Sequence, residues 1–222
     1  MDTQVKNYNK AELKRDREWT DAAIKKFLGE PDSYAENPRS RYSMICLYGA
    51  ERVHAVEGTD EFAAWLEKLR ARRASARKAV ATKREKTLAV VKSRLGKVRL
   101  HKHARGLELD TLRKRAVEHY NAYQDERAAW YDHYFDPVGV TGASDEFYER
   151  IEVNYLRHEG TRYDSELERY IGKTGVADAV DMVREHVYGL IATEYPHLAG
   201  ECERQLADRR AQEEQRRAWL GK

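Results

Sequence analysis

The segment "TDEFAAWLEKLRARRASARKAVATKREKTLAVVKSRLG", Thr59 to Gly96, constrains this chain more than any other. It reads as one long helix, with Thr59 or Asp60 placed to cap it. Phe62, Trp65, Leu66 and Leu69 start an apolar stripe. The stripe fades through Ala76, Val80, Lys83 and Thr87 and returns at Leu88, Val90 and Val91. A helix that is polar on nearly all sides is not held by a core, so its middle must be solvated, bridging or bound to something.

That middle also concentrates charge. Residues 66–105 carry 15 Lys and Arg against 2 Asp and Glu, a net +13, within a chain of net +3. Residues 1–65 are net −2 and residues 106–222 net −8. A basic block between acidic flanks points to a polyanion partner, or to an acidic partner within the chain. The 222 residues suffice for one large domain or two small ones. With 41% apolar and 36% charged residues, extended helices with wide solvated faces fit better than one thick core. Four prolines in the whole chain also favour helix. The two cysteines, Cys46 and Cys202, give neither a disulfide framework nor zinc spacing. No stretch has the apolar length of a membrane span, and "MDTQVKNYNK" lacks a signal-peptide core. The expectation is a soluble cytoplasmic protein.

Residues 1–17 read as a polar arm, frayed or briefly helical. "WTDAAIKKFLGEPD" reads as a short helix capped by Thr20 and stopped by Gly29, and Pro31 to Arg41 as loop. "YSMICLY" has the β-branched and aromatic content of a strand, with Ile45 and Leu47 expected to face the core. The stretch around Glu51 resumes helical spacing. Residues 96–106 read as a linker and domain boundary. Beyond it, helices are expected from about Asp110 to Phe135, from Ser144 to about Gly172, after Thr174, and over the charged tail.

The order helix, turn, strand ending in Leu47-Tyr48, then helix resembles the MerR and excisionase group of winged-helix-like DNA-binding modules. The matching residues are "WTDAAIKKFLG" and "MICLYGAERVHAVE". "NPRSRYSMICLYGAERV", leading into the basic block, is also similar to the DNA-binding part of the xeroderma pigmentosum group A repair family. The resemblance covers about residues 18–95. It implies a DNA-binding hairpin followed by a basic helix. The MerR pattern has a recognition helix where this chain has only "EPDSYAENPRS", too short and proline-bearing for one. Contact through the wing and the phosphate backbone is therefore expected, rather than base reading in the major groove.

The nucleic-acid-binding candidates are Lys25, Lys26, Arg39, Arg41, Arg52, Arg70, Arg72, Arg73, Arg77, Lys78, Lys83 and Arg84. Of these, Arg70, Arg73, Arg77 and Arg84 share one helical stripe. Neutralising phosphates with such residues releases counterions and so supplies sequence-independent affinity. The competing view makes the helix a plain solvated face, or one packed on the acidic half. A second group, Asn154, Arg157 and His158 within "RIEVNYLRHEG", supports an alternative: an enzyme acting on nucleic acid or a nucleotide. The same residues also fit a helix core with His158 hydrogen-bonded to a neighbour. His101, His103, His119 and His133 lack the closed spacing of a zinc site. Tyr120, Tyr123, Trp130, Tyr131, Tyr134 and Phe135 could stack on bases, but their spacing is read as core packing. No phosphate loop, cofactor or metal is expected.

The expected fold is mostly α. A small winged-helix-like module with a β-hairpin (18–59) precedes the long basic helix (60–95), the linker and a helical domain (107–222). The expected function is non-catalytic binding of DNA or RNA, with the C-terminal helices docking a protein partner or forming a homodimer. A third possibility is an assembly protein whose basic helix meets an acidic protein.

Overall fold

The computed structural model describes residues 7–40 and 42–220. The chain is mostly helical, with one small sheet, and it divides into two compact units at Ala79/Val80.

The first unit begins with strand β1 (Asn7–Asn9) and helix α1 (Lys10–Asp16). Asn9 and Glu12 form a reciprocal cap: the Asn9 side chain takes the Glu12 N–H at 2.9 Å, and the Glu12 carboxylate takes the Asn9 N–H at 2.8 Å. Helix α2 (Asp21–Ala23) starts under the Thr20 hydroxyl and continues as a π-helical turn, Ile24–Leu28. Gly29, at φ +62°, ends it in a conformation that costs a side-chain-bearing residue. Strands β2 (Ser33–Glu36) and β3 (Met44–Gly49) form a hairpin, and β1 pairs on the far edge of β3, giving the order β1-β3-β2. All pairings are antiparallel. Helix α3 (Ala50–Glu57) follows, then α4 (Asp60–Leu95), whose first turn is capped by the Thr59 hydroxyl.

Leu13, Trp19, Ala23, Ile24, Leu28, Tyr48, Val53 and Phe62 form this unit's core. Residues 7–17 are therefore not a polar arm: β1 extends the sheet and Leu13 is fully buried, while residues 1–6 lie outside the described residues. The strand register is also the reverse of the expected one. Tyr48 is in the core and Cys46 packs against it, so Ile45 and Leu47 take the opposite face. The large Tyr48 ring, packed in the cluster that also holds Trp19 and Phe62, decides which alternate set faces inward.

The second unit contains the end of α4, then α5 (Leu109–Trp130), α6 (Asp145–His158), α7 (Tyr163–Glu168), α8 (Val176–Glu194) and α9 (Ala199–Leu220). Ser144 caps α6 through the Phe147 N–H. Residues 96–106 are not a linker here. Val98, Leu100 and Ala104 are buried in the core with Val91, Leu112, Val187 and Tyr188. Backbone bonds tie them in: His101 N to Gly160 O at 2.8 Å, and Tyr195 Oη to Ala104 O at 2.9 Å. Gly160 is needed because a Cβ there would lie 2.4 Å from the Leu156 carbonyl. The segment expected as one helix to Gly172 breaks at His158 and resumes as α7. The aromatic run departs from the expected core packing: Tyr123 and Trp130 on the last turns of α5, and Tyr131 and Tyr134 beyond its end at Trp130, are exposed, while Tyr120 packs against the core. Among the described residues, no helix is long and apolar enough to cross a membrane.

Candidate functional site

Two places carry chemistry. The first is built on the hairpin and on the exposed middle of α4, a stretch that begins in the first unit and runs past Val80.

At the hairpin tip, Ser40 N bonds to Asn37 O at 3.1 Å, closing a turn with Pro38 in its favoured second position. The Asn37 side chain accepts from Arg39 N at 3.0 Å and donates to Ser43 Oγ at 2.8 Å. This fixed turn presents Arg39 to solvent, with Tyr42 fully exposed and Tyr34 and Met44 more than half exposed. Arg41 lies outside the described residues. Tyr42 and Tyr34 were missed in the sequence. Their signal was two tyrosines flanking a proline turn, masked by the strand content of the same segment.

Along α4, every residue from Arg70 to Lys86 is exposed. This span holds eight Lys and Arg and one acidic residue, Glu85. Some of the cations are tied down. Glu18 accepts from Arg70 Nη2 at 2.6 Å and lies 3.4 Å from Arg73 Nη1. The hydrogen bond from Arg70 holds the Glu18 carboxyl below its ordinary range. Glu18 itself sits at φ +61°, a left-handed position in the turn between α1 and α2. That turn is anchored by its neighbours. Arg17 Nε and Trp19 Nε1 both donate to Glu57 Oε1 at 2.8 Å. Burial works to raise the Glu57 carboxyl, yet those donors outweigh it and hold it low.

Lys26 bonds to Glu61 at 2.7 Å, Arg52 to Asp32, and Arg84 to Asp178 at 2.6 Å through both of its donors. So of the expected stripe, Arg70, Arg73 and Arg84 are paired with acids. Arg72, Arg77, Lys78 and Lys83, with Lys25 and Arg39, are exposed and make no ion pair among the described residues. Lys68, one turn before Arg72 and equally exposed, belongs with them.

The second place is a cavity of about 510 Å³ in the second unit. Asn154, Arg157 and His158 line it together, joined by Arg150, Tyr123 and His119. Arg150, Asn154, Arg157 and His158 stand at i, i+4, i+7 and i+8 on α6, one face of the helix. Arg150 was legible by that spacing and was missed.

Arg157 is 7% exposed, and its guanidinium meets only neutral groups. Nη1 donates to Tyr188 Oη at 2.6 Å, while Nε and Nη2 donate to His158 Nε2 at 3.2 and 2.8 Å. Two donors converging on Nε2 place the imidazole proton on Nδ1, which donates to Asp164 at 2.6 Å. His158 Nε2 is therefore engaged and offers no free lone pair to a substrate proton. The Tyr188 hydroxyl donates to Gln205 Oε1 at 2.8 Å, and Gln205 Nε2 donates to Glu201 at 2.7 Å. Burial pushes the Tyr188 hydroxyl upward, so it stays protonated near neutrality.

The buried carboxylates differ from Arg157. Glu166 is held by Arg94, Glu201 by Arg204 and Glu152 by Arg113. Of the buried charged groups among the described residues, Arg157 alone lacks an oppositely charged partner in contact. No three His, Cys, Asp or Glu among the described residues gather into a metal-holding group. No protein-family model, curated protein or solved structure matches the chain.

Proposed function

We propose that this protein binds nucleic acid through its phosphate backbone, using the basic helix α4 and the hairpin tip, without catalysing a reaction on it. One observation carries this reading: the exposure of α4 on every side from Arg70 to Lys86, with eight cations and a single acid. A helix this polar gains nothing from an apolar partner. Its cations repel one another, and a polyanion relieves that repulsion while releasing its own counterions. The paired arginines do not oppose this reading. Exposed ion pairs contribute little and exchange readily, so phosphate oxygens can replace Glu18. At the hairpin tip, Arg39 beside a bare Tyr42 combines a phosphate contact with a ring on which an unpaired base can stack.

The decisive test targets the unpaired cations rather than the expected stripe. Replacing Arg72, Arg77 and Lys78 together by Gln should weaken binding to random DNA or RNA about tenfold or more. The slope of log K against log salt should fall by roughly 2 to 3. Fluorescence anisotropy with single- and double-stranded probes at two salt concentrations reads both, and also ranks DNA against RNA. The melting temperature should not move, since these side chains make no ion pair among the described residues. Wild-type protein that shows no salt-dependent binding to any probe sinks the proposal and leaves an acidic protein as the partner of the helix.

A further inference from the structure

The geometry points to a second binding site, independent of the first: we propose that the α6 cavity holds a phosphate monoester carrying a flat ring, of the nucleoside monophosphate class, with Arg157 and Arg150 on the phosphate.

The argument starts from Arg157. Burying a cation away from water is costly unless an anion compensates it. The chain compensates its buried carboxylates with arginines, yet it surrounds Arg157 with a tyrosine hydroxyl, a glutamine oxygen and an imidazole nitrogen. The nearest carboxylates on these two routes stand one or two neutral side chains away. Asp164 lies behind His158, and Glu201 behind Tyr188 and Gln205. These intermediaries lock the guanidinium in place without neutralising it. Tyr163 and Tyr188 also hold it, with its carbon 5.3 and 5.8 Å from their ring centres. A fixed, desolvated and uncompensated guanidinium opening on a cavity is what oxyanion recognition requires.

The rest of the lining fits the same ligand. Arg150, two turns earlier on the same face, is exposed and makes no ion pair among the described residues; its carbon lies 5.2 Å from the Phe147 ring centre. Asn154 stands between the two arginines and makes no side-chain hydrogen bond among the described residues, so its amide is available to a phosphate oxygen or a hydroxyl. The two carboxylates of the lining are each engaged with a histidine: Asp164 with His158, and Glu159 with His119 at 3.5 Å. Tyr123, 53% exposed, gives a ring face at the mouth for a flat heterocycle. A volume of about 510 Å³ lies in the range of small-molecule sites and is far too small for a folded nucleic acid. His158, with both nitrogens engaged, acts here as a positioning residue for Arg157.

The test is calorimetric titration of the full chain with adenosine monophosphate, adenosine, inorganic phosphate and benzoate. Adenosine monophosphate should bind one per chain, at least tenfold tighter than either adenosine or phosphate alone. Arg157→Gln should abolish that binding. Because that variant removes buried contacts, Arg150→Gln and Asn154→Ala, both at the rim, are measured beside it, and each should cost about fivefold or more. Tyr123→Ala should weaken the nucleotide and leave inorganic phosphate unchanged, an outcome that a merely structural Arg157 would not produce. The triple variant at Arg72, Arg77 and Lys78 should bind the nucleotide normally, which separates this site from the helix. Absence of nucleotide and phosphate binding at millimolar concentration overturns the proposal. So does nucleotide affinity that survives both rim substitutions, and benzoate binding tighter than the nucleotide would overturn the phosphate assignment.

Discussion

Glu18 is the residue on which the charge of the first unit turns. It occupies a left-handed backbone position and holds two of the arginines that the helix would otherwise offer to solvent. Removing its charge should therefore do the reverse of removing a cation. Glu18→Asn keeps a side chain that tolerates positive φ and frees Arg70 and Arg73. Affinity for nucleic acid should rise about threefold, and the salt slope should steepen by about 1 to 2, as read by anisotropy. An affinity equal to wild type would mean that phosphate already displaces Glu18, or that this side of the helix makes no contact. Arg157 shows the opposite economy, since no carboxylate is spent on it at all.

Among the elements, β3 and the turn before α2 carry the clearest consequences. Tyr48 is 1% exposed and Met44 57% exposed, four residues apart on one strand. Tyr48→Ala should cost the first unit about 3 kcal/mol or more by the usual cost of truncating a buried aromatic. Met44→Ala should change little. Leu47→Ala, on the opposite face, should cost clearly less than Tyr48→Ala, and a larger loss at Leu47 in chemical denaturation would contradict the register. The α1–α2 turn is pH-sensitive through Glu57. Its carboxyl is held low in the folded state, so the unfolded chain takes up a proton first as pH falls. The stability Glu57 contributes is thus fully present above the unfolded glutamate value of about 4.3 and is lost as pH drops through the lower folded value. Glu57→Gln should lower stability at neutral pH and flatten the acid limb of the melting-temperature profile. An acid limb with unchanged slope would assign that sensitivity elsewhere, for example to Glu166, which Arg94 also holds low.

For the whole molecule, the division at Ala79/Val80 has a direct test. Val91, Val98, Leu100 and Ala104 belong to the core of the second unit. A fragment of residues 80–222 should be folded and cooperative by circular dichroism and thermal melting. A fragment of residues 107–222 lacks those side chains and the His101–Gly160 bond, and should melt at least 10 °C lower or not fold. Equal stability of the two would restore the boundary near residues 96–106 that glycine content and charge suggested.

Elements whose cause is local could be read directly from the residues. Thr20, Thr59 and Ser144 cap the helices they precede, and Gly29 stops the one it follows, because a cap or a stop acts within three or four residues. The middle of α4, from Arg70 to Lys86, is helical and bare because its own pattern there supplies no apolar face. The hairpin was legible in strand content, but its facing was not. Alternation offers two equivalent sets, and only packing into the core cluster that also holds Trp19 and Phe62 chooses the one with Tyr48. The charge block was legible too, while the division between paired and unpaired cations was not. Glu18 meets Arg70 across 52 residues, and Asp178 meets Arg84 across 94. Glycines at 96 and 106 read as a loop because composition records chain flexibility and not burial. Asn154, Arg157 and His158 were found by spacing on one helix. That Arg157 would be buried without an anion was decided by the tertiary structure alone, since Tyr188 and Gln205 come from two other helices and only the fold brings neutral groups, rather than carboxylates, to the guanidinium.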